Sequence, residues 1–284
     1  MKKIGLVLEG GGTRAIYTSG VLDYFLEKDL KFPYIIGVSA GSCNGISYIG
    51  KNLRRQHDIT IDYVNDERYM SVKSMLKNGE YLNIPWIFGE LSYQLSPLNM
   101  EEFENSDTKL VAVVTNGDTC KAEYFDVDDV HDECPVLAAS CALPLATKGV
   151  QIGETTYFDG GITDSIPFKH AIEVDGCDKV IVILTQHVGY KKTQIKGGDF
   201  LKKAMAKKYP LISDGILERH NMYNAQLQDL AEYQKQGRAF VIQPQEPLGA
   251  GTLEKNTEKL EEIYQRGYND AEKLYNQVVE FMNE

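Results

Sequence analysis

Two short apolar runs near the start of the chain, each ending at a glycine-rich junction that opens into a helical pattern, constrain the fold more than any other feature. The first is Ile4 to Leu8. It stops at Glu9 and Gly10-Gly11-Gly12, and from Arg14 to about Lys28 the residues Ala15, Val21, Leu22, Phe25 and Leu26 recur at near-helical spacing. The second is Tyr34 to Val38, joined to a helical stretch from Ala40 to about Leu53 through Gly37-Val38-Ser39-Ala40-Gly41. A continuous apolar run of this length fits a strand buried on both faces, as in a parallel sheet. Strand, glycine turn and helix, given twice, open an α/β fold.

Later segments extend the pattern. Lys109 to Thr115 and Lys121 to Asp126 read as strands of a hairpin turning at Asn116-Gly117-Asp118. Pro135 to Ala142 reads as a small-residue helix. Thr155 to Phe158 is a short strand ending at Asp159-Gly160-Gly161; Lys179 to Thr185 is the next strand and Arg238 to Gln243 the last. Gln56 to Met100 is less regular and reads as an insertion, one or two helices followed by an irregular stretch around Ile84-Pro85-Trp86-Ile87-Phe88. Leu260, Ile263, Ala271, Leu274, Val278 and Phe281 predict a long amphipathic C-terminal helix. The expected organisation is one domain, with a catalytic core over 1–185 and a helical extension over 186–284 that completes it.

The chemistry concentrates at the glycine junctions. Gly37 to Gly41 matches G-x-S-x-G, in which a tight strand-to-helix turn pushes the serine hydroxyl out at the strand's carboxyl end. Gly10-Gly11-Gly12 places backbone amides at a helix start, where they converge on an anion. The same loop satisfies G-x-G-x-x-A through Gly10, Gly12 and Ala15, so dinucleotide binding is an alternative. That reading requires an acidic residue ending the second strand, where this chain has the serine turn. Asp159, at a strand end before two glycines, is on its own equally a carboxylate in a crevice and a turn residue bonded to its own backbone.

Taken together and in this order, Gly10-Gly11-Gly12-Thr13-Arg14, Gly37 to Gly41, Ala139-Ser140-Cys141-Ala142-Leu143-Pro144 and Asp159-Gly160-Gly161 resemble the patatin-like phospholipases, especially small bacterial members, over roughly Lys3 to Thr185. The resemblance implies a three-layer α/β/α sandwich with a mainly parallel central sheet. It also implies hydrolysis of lipid acyl esters, of the lipase or phospholipase A type, by a Ser–Asp dyad through an acyl-enzyme. Ser39 is then the nucleophile, Asp159 its base, and Gly10, Gly11 and Gly12 the oxyanion hole, with Arg14, Gly37, Gly41, Gly160 and Gly161 in support. Ala15 departs from the family's glycine after the basic residue. Neither metal nor organic cofactor is implied. A patatin fold without turnover, serving as a regulatory protein, is the rival in another class.

The remaining features narrow the setting. Of five histidines, His57, His131, His170 and His220 read as surface residues, and His187, after the Lys179 to Thr185 strand, is the candidate for a Ser–Asp–His triad, which the resemblance disfavours. Asp126, Asp128, Asp129 and Asp132 lack the glycine and terminal glutamate of a calcium loop and read as a solvated face. Five scattered cysteines without C-x-x-C suggest reduced, mostly buried thiols. A net charge of −11 argues against nucleic acid as a partner. The apolar run before Glu9 is too short for a signal peptide, and no run of about 18 apolar residues occurs, so a cytoplasmic location is expected. Between His187 and Pro210 the balance reverses: Lys191, Lys192, Lys196, Lys202, Lys203, Lys207 and Lys208 face the single acid Asp199. With Phe200, Leu201, Ala204 and Met205 interleaved, this segment is expected near the active-site mouth, in peripheral contact with an anionic membrane surface at the inner face.

Overall fold

Eight strands join in one mixed sheet in the computed structural model, which describes residues 2–131, 134–195, 197–205 and 208–284. They are β1 (Ile4–Leu8), β2 (Tyr34–Val38), β3 (Lys109–Asn116), β4 (Ala122–Asp126), β5 (Val150–Ile152), β6 (Thr155–Asp159), β7 (Lys179–Ile183) and β8 (Ala239–Ile242). Their order is β5-β6-β3-β2-β1-β7-β8, with β4 also paired to β3. β1, β2 and β7 are buried at every residue, as uninterrupted apolar strands in the middle of a sheet must be. The pairs β3–β2, β2–β1, β1–β7 and β7–β8 are parallel; those of β6 with β3 and β5, and of β4 with β3, are antiparallel. β5, three residues long, is too short to show a strand pattern in the sequence.

Strand alternation sorts the core into two layers. Leu6, Leu8, Ile35 and Ile181 point to the face covered by α1 (Ile16–Glu27), α2 (Ala40–Ile49) and the C-terminal helix. Val7, Ile36, Val113 and Val182 point to the opposite face, where Tyr223 and Leu230 of a 26-residue helix close the layer. The insertion between β2 and β3 holds α3 (Arg55–Tyr63), α4 (Val72–Asn78), α5 (Ile84–Trp86) and α6 (Met100–Glu104). The stretch expected to be irregular is helical but kinked: Asn83 caps α5 by accepting from the Trp86 amide, Pro85 sits where no amide partner is needed, and the π-helical stretch Ile87–Leu95 that follows is broken at Gly89, whose φ of −102° and ψ of −105° are not helical. After β4 come α7 (Pro135–Ser140) and, beyond β7, α8 (Gly198–Met205), α9 (Pro210–Lys235) and α10 (Thr257–Asn283).

Other sequence expectations change in three dimensions. His57, expected at the surface, is only 3% exposed, because α3 packs beside α10: the ring lies 4.5 Å from that of Tyr264, with nitrogens at 2.7 Å from Asp58 and 2.6 Å from Glu261. Asp126, Asp128 and Asp129 are exposed, and Asp126 pairs with Lys109; Asp132 lies outside the described residues. The β3–β4 loop spans five residues, with Asn116 accepting from the Asp118 and Thr119 amides. Of the lysine segment, Lys196 and Lys207 lie outside the described residues. Lys191, Lys202, Lys203 and Lys208 are exposed. Lys192 is drawn inward, its ammonium 4.6 Å from the Tyr223 ring centre, and burial pushes its pKa down to about 8. No described helix is long and apolar enough to cross a membrane.

Candidate active site

The register of β3 brings two distant strand ends together. β2 pairs with Lys109 through Val113, Val38 lying opposite Val113; β6 pairs with Val114 through Asn116, Asp159 lying opposite Val114. β4 occupies the other edge of β3 from Val111 to Thr115, so β2 and β6 must share the remaining edge. They run along it in opposite directions and meet end to end. The chain leaves β2 at Ser39 and ends β6 at Asp159, and consecutive residues of β3 therefore hold the two beside each other.

Ser39 sits in a turn that few residues adopt, with φ 55° and ψ −130°. The turn is possible because its flanks are glycines: a Cβ on Gly37 would lie 2.5 Å from the Ser42 backbone, and one on Gly41 would lie 2.4 Å from the Leu8 carbonyl oxygen. The Ala139–Pro144 segment clamps both strand ends. Ser140 Oγ accepts from the Ser39 amide at 2.8 Å and donates to the Val113 carbonyl at 2.7 Å, while Ala142 accepts from the Asp159 amide at 2.9 Å. Ser39 and Asp159 are 7% and 4% exposed. Burial raises the pKa of Asp159; the Arg219 guanidinium, the Ser39 hydroxyl and the Gly161 amide, which donates to Oδ1 at 2.8 Å, oppose the rise.

The glycine loop lies against Ser39. A Cβ on Gly10 would fall 3.0 Å from that of Ser39. Thr13 and Arg14 are the first amides of the loop to find backbone acceptors, Thr252 and Gly11, and those of Gly10, Gly11 and Gly12 have none among the described residues. Gly12 has φ +57° and lies under Thr252, whose carbonyl oxygen would be 2.1 Å from an added Cβ. Glu9 braces the loop from behind: it is buried, accepting from the Thr185 amide and the Tyr223 hydroxyl, while Thr185 Oγ1 donates to the Gly10 carbonyl. Glu9 was visible in the sequence only as the charge that ends the first apolar run; nothing local pointed to Tyr223, Thr252 or Arg219.

In front of Ser39 opens a cavity of about 1150 Å³, its mouth included. Ile16, Ile84, Phe88, Leu91, Leu137 and Leu143 give it an apolar lining, and none of residues 187–210 belongs to the described lining. Cys43 and Cys141 also line it, with their sulfurs 3.6 Å apart; their shared hydrogen bond lowers the pKa of Cys43 and raises that of Cys141. All five cysteines are free, with Cys134 and Cys177 buried and the others partly so. His187 packs edge-on against Tyr190. It is not among the residues that act on Asp159.

A family model described as patatin-like phospholipase matches residues 6–172, the stretch that carries the glycine loop, Ser39 and Asp159. The chain belongs to this family. A model for a domain of unknown function matches residues 209–283. Among relatives, YjjU of Escherichia coli K12, an uncharacterised protein, is 26% identical over 93% of this chain and 75% of its own length. A protein of invertebrate iridescent virus 6, named probable lipid hydrolase 463L, is 23% identical over 66% of this chain and 71% of its own. Among solved structures, VipD of Legionella pneumophila matches with a TM-score of 0.51 at 14% identity, over 98% of this chain and 67% of that one. The patatin-like phospholipase fold thus includes the parallel strands on which Ser39 stands and the reversed β6 that carries Asp159.

Proposed function

We propose that the protein hydrolyses acyl esters of lipids through an acyl-enzyme, with Ser39 as nucleophile, Asp159 as general base and the amides of Gly10, Gly11 and Gly12 as oxyanion donors. The observation that carries this reading is the end-to-end meeting of β2 and β6, which sets Ser39 against a buried carboxylate beside an apolar cavity. Asp159 takes the hydroxyl proton as Ser39 Oγ attacks the ester carbon. Negative charge then grows on the carbonyl oxygen, beside amides that have no backbone acceptor among the described residues. The alcohol leaves with the proton, and water, deprotonated by Asp159 in turn, releases the acid from Ser39. Burial suits this base: the raised pKa makes Asp159 a better proton acceptor than an exposed carboxylate.

The cavity argues for a lipid. Its lining is mainly apolar, as an acyl chain requires, and the name of the viral relative, probable lipid hydrolase, points the same way. The exposed Lys191, Lys202, Lys203 and Lys208, with Phe200 at 72% exposure, support peripheral contact with an anionic membrane surface, at about 1 kcal/mol for each lysine near anionic lipid. Hydrolysis of p-nitrophenyl esters of graded chain length tests the catalytic reading. The wild type is expected to turn over and Ser39→Ala to lose on the order of a thousandfold or more. A folded wild type with no turnover on esters or phospholipids would favour the silent regulatory reading.

A further inference from the structure

A dyad without histidine leaves its base a difficult task. A carboxylate buried among apolar groups takes up a proton unless an opposite charge stands near, and once protonated it is no base. We propose that Arg219 of α9 is a positioning residue for Asp159, supplying the counter-charge that this histidine-free base requires. The inference rests on the reading of Ser39 and Asp159 as the catalytic pair.

The geometry is set by Gly161. A Cβ added there would lie 2.8 Å from Arg219 Nη2 and 3.0 Å from Asp159 Oδ1. Guanidinium and carboxylate therefore border the same side-chain-free space, within about 6 Å of each other, where an opposite charge acts strongly on a carboxyl group. The second glycine of Asp159-Gly160-Gly161 makes room for the arginine. Arg219 is anchored to Ser165 Oγ through Nε at 3.4 Å and Nη2 at 3.3 Å, and Ser165 donates to the Gly161 carbonyl at 2.7 Å. Its hydrogen bonds thus go to the turn beside the carboxylate, which stays available for the proton of Ser39.

The other groups around Asp159 do not substitute for this charge. From α2 and from the turn after α7, Cys43 and Cys141 approach it as thiols, groups that bring no positive charge and whose ionisation the Asp159 charge opposes. The Ser39 hydroxyl and the Gly161 amide are neutral donors. Lys192, from the segment after β7, stands in the field of Glu9, Arg14 and Arg219. Among the influences that hold Asp159 ionised, Arg219 is the largest. It lies in the stretch matched by the domain of unknown function, outside 6–172, so the C-terminal helices complete the active site as well as cover the sheet.

The test is kcat/KM against pH on a soluble short-chain ester for the wild type, Arg219→Lys, Arg219→Gln and Ser165→Ala, with Ser39→Ala as the blank and thermal melting to verify folding. Without its counter-charge Asp159 binds its proton more tightly, so the acid limb of Arg219→Gln is expected to move up by about one pH unit or more. The loss is then at least tenfold below the midpoint and fades toward alkaline pH, and Arg219→Lys retains most of the wild-type midpoint. Ser165→Ala, which loosens the guanidinium without removing charge, shifts the limb less and in the same direction. A folded Arg219→Gln with the wild-type midpoint overturns the proposal whatever its maximal rate; if that variant does not fold, an unmoved midpoint in Ser165→Ala does so. Turnover by Ser39→Ala would instead remove the dyad reading itself, so the two failures are distinguishable.

Discussion

The two sides of Ser39 are built from opposite materials. In front lies a cavity walled by Ile16, Phe88, Leu137 and their neighbours, contributed by α1, the insertion and α7. Behind the glycine loop and Asp159 lies a polar brace in which Glu9, Thr185, Tyr223 and Arg219 are tied by hydrogen bonds or opposed charges, contributed by the residues just after β1 and β7 and by α9. The front side is mainly apolar, and its chief effect is to set how much chain fits. The polar side holds atoms in place and brings a positive charge toward a buried carboxylate. Substrate length should therefore depend on the first side and rate on the second, with little crossing over.

Asp159→Asn should strike the polar side hardest. It removes the proposed base while keeping the shape, and turnover on all esters should fall by about a thousandfold or more. The same change should raise thermal stability at neutral pH. Burial raises the pKa of Asp159 in the native state, so the folded protein holds this proton to higher pH than the unfolded chain, and its stabilising share is lost as pH rises through the native value. The asparagine variant should therefore melt above the wild type at pH 8, with the gap closing in acid. A melting gap that widens in acid would show that the carboxylate, once ionised, is not a burden to the fold.

A smaller effect is expected on the apolar side. Leu143→Trp narrows the cavity, and each methylene left without its place loses about 0.8 kcal/mol. Excluding two should lower the long-chain to short-chain ratio of kcat/KM on the order of tenfold, with the short-chain rate near that of the wild type. Equal losses on both substrates would mean that the cavity does not hold the chain. Least of all should His187→Ala matter. It packs against Tyr190 and has no part in the forces on Asp159, so kcat is expected to stay within about twofold, whereas a triad base is worth several orders of magnitude.

The same division explains what the sequence made legible. Ser39, Gly37, Gly41 and the glycine loop stood out because a tight turn is a local event and its residue requirements lie within a few positions. The buried parallel strands were legible for a similar reason, as a short unbroken apolar run bounded by glycines fits a strand buried on both faces. How Ser39 reaches Asp159 was not legible, because the reversal of β6 and its docking at the end of β2 depend on pairings across more than 40 residues. His57 looked like a surface residue for want of a visible partner; Glu261 lies 204 positions away. Lys192 looked like one more surface lysine, but its ammonium lies over the rings of Tyr190 and Tyr223. Arg219 sits in a helix whose local pattern says only that it is a helix.

The most direct measurement of the central claim is mass mapping of the adduct formed with a fluorophosphonate, which is trapped only by a serine whose hydroxyl is activated and whose oxyanion is stabilised. The account predicts one phosphonyl group per wild-type chain, on Ser39, none on Ser39→Ala, and much slower labelling of Asp159→Asn. An adduct on another serine, or labelling of Asp159→Asn at the wild-type rate, would contradict it.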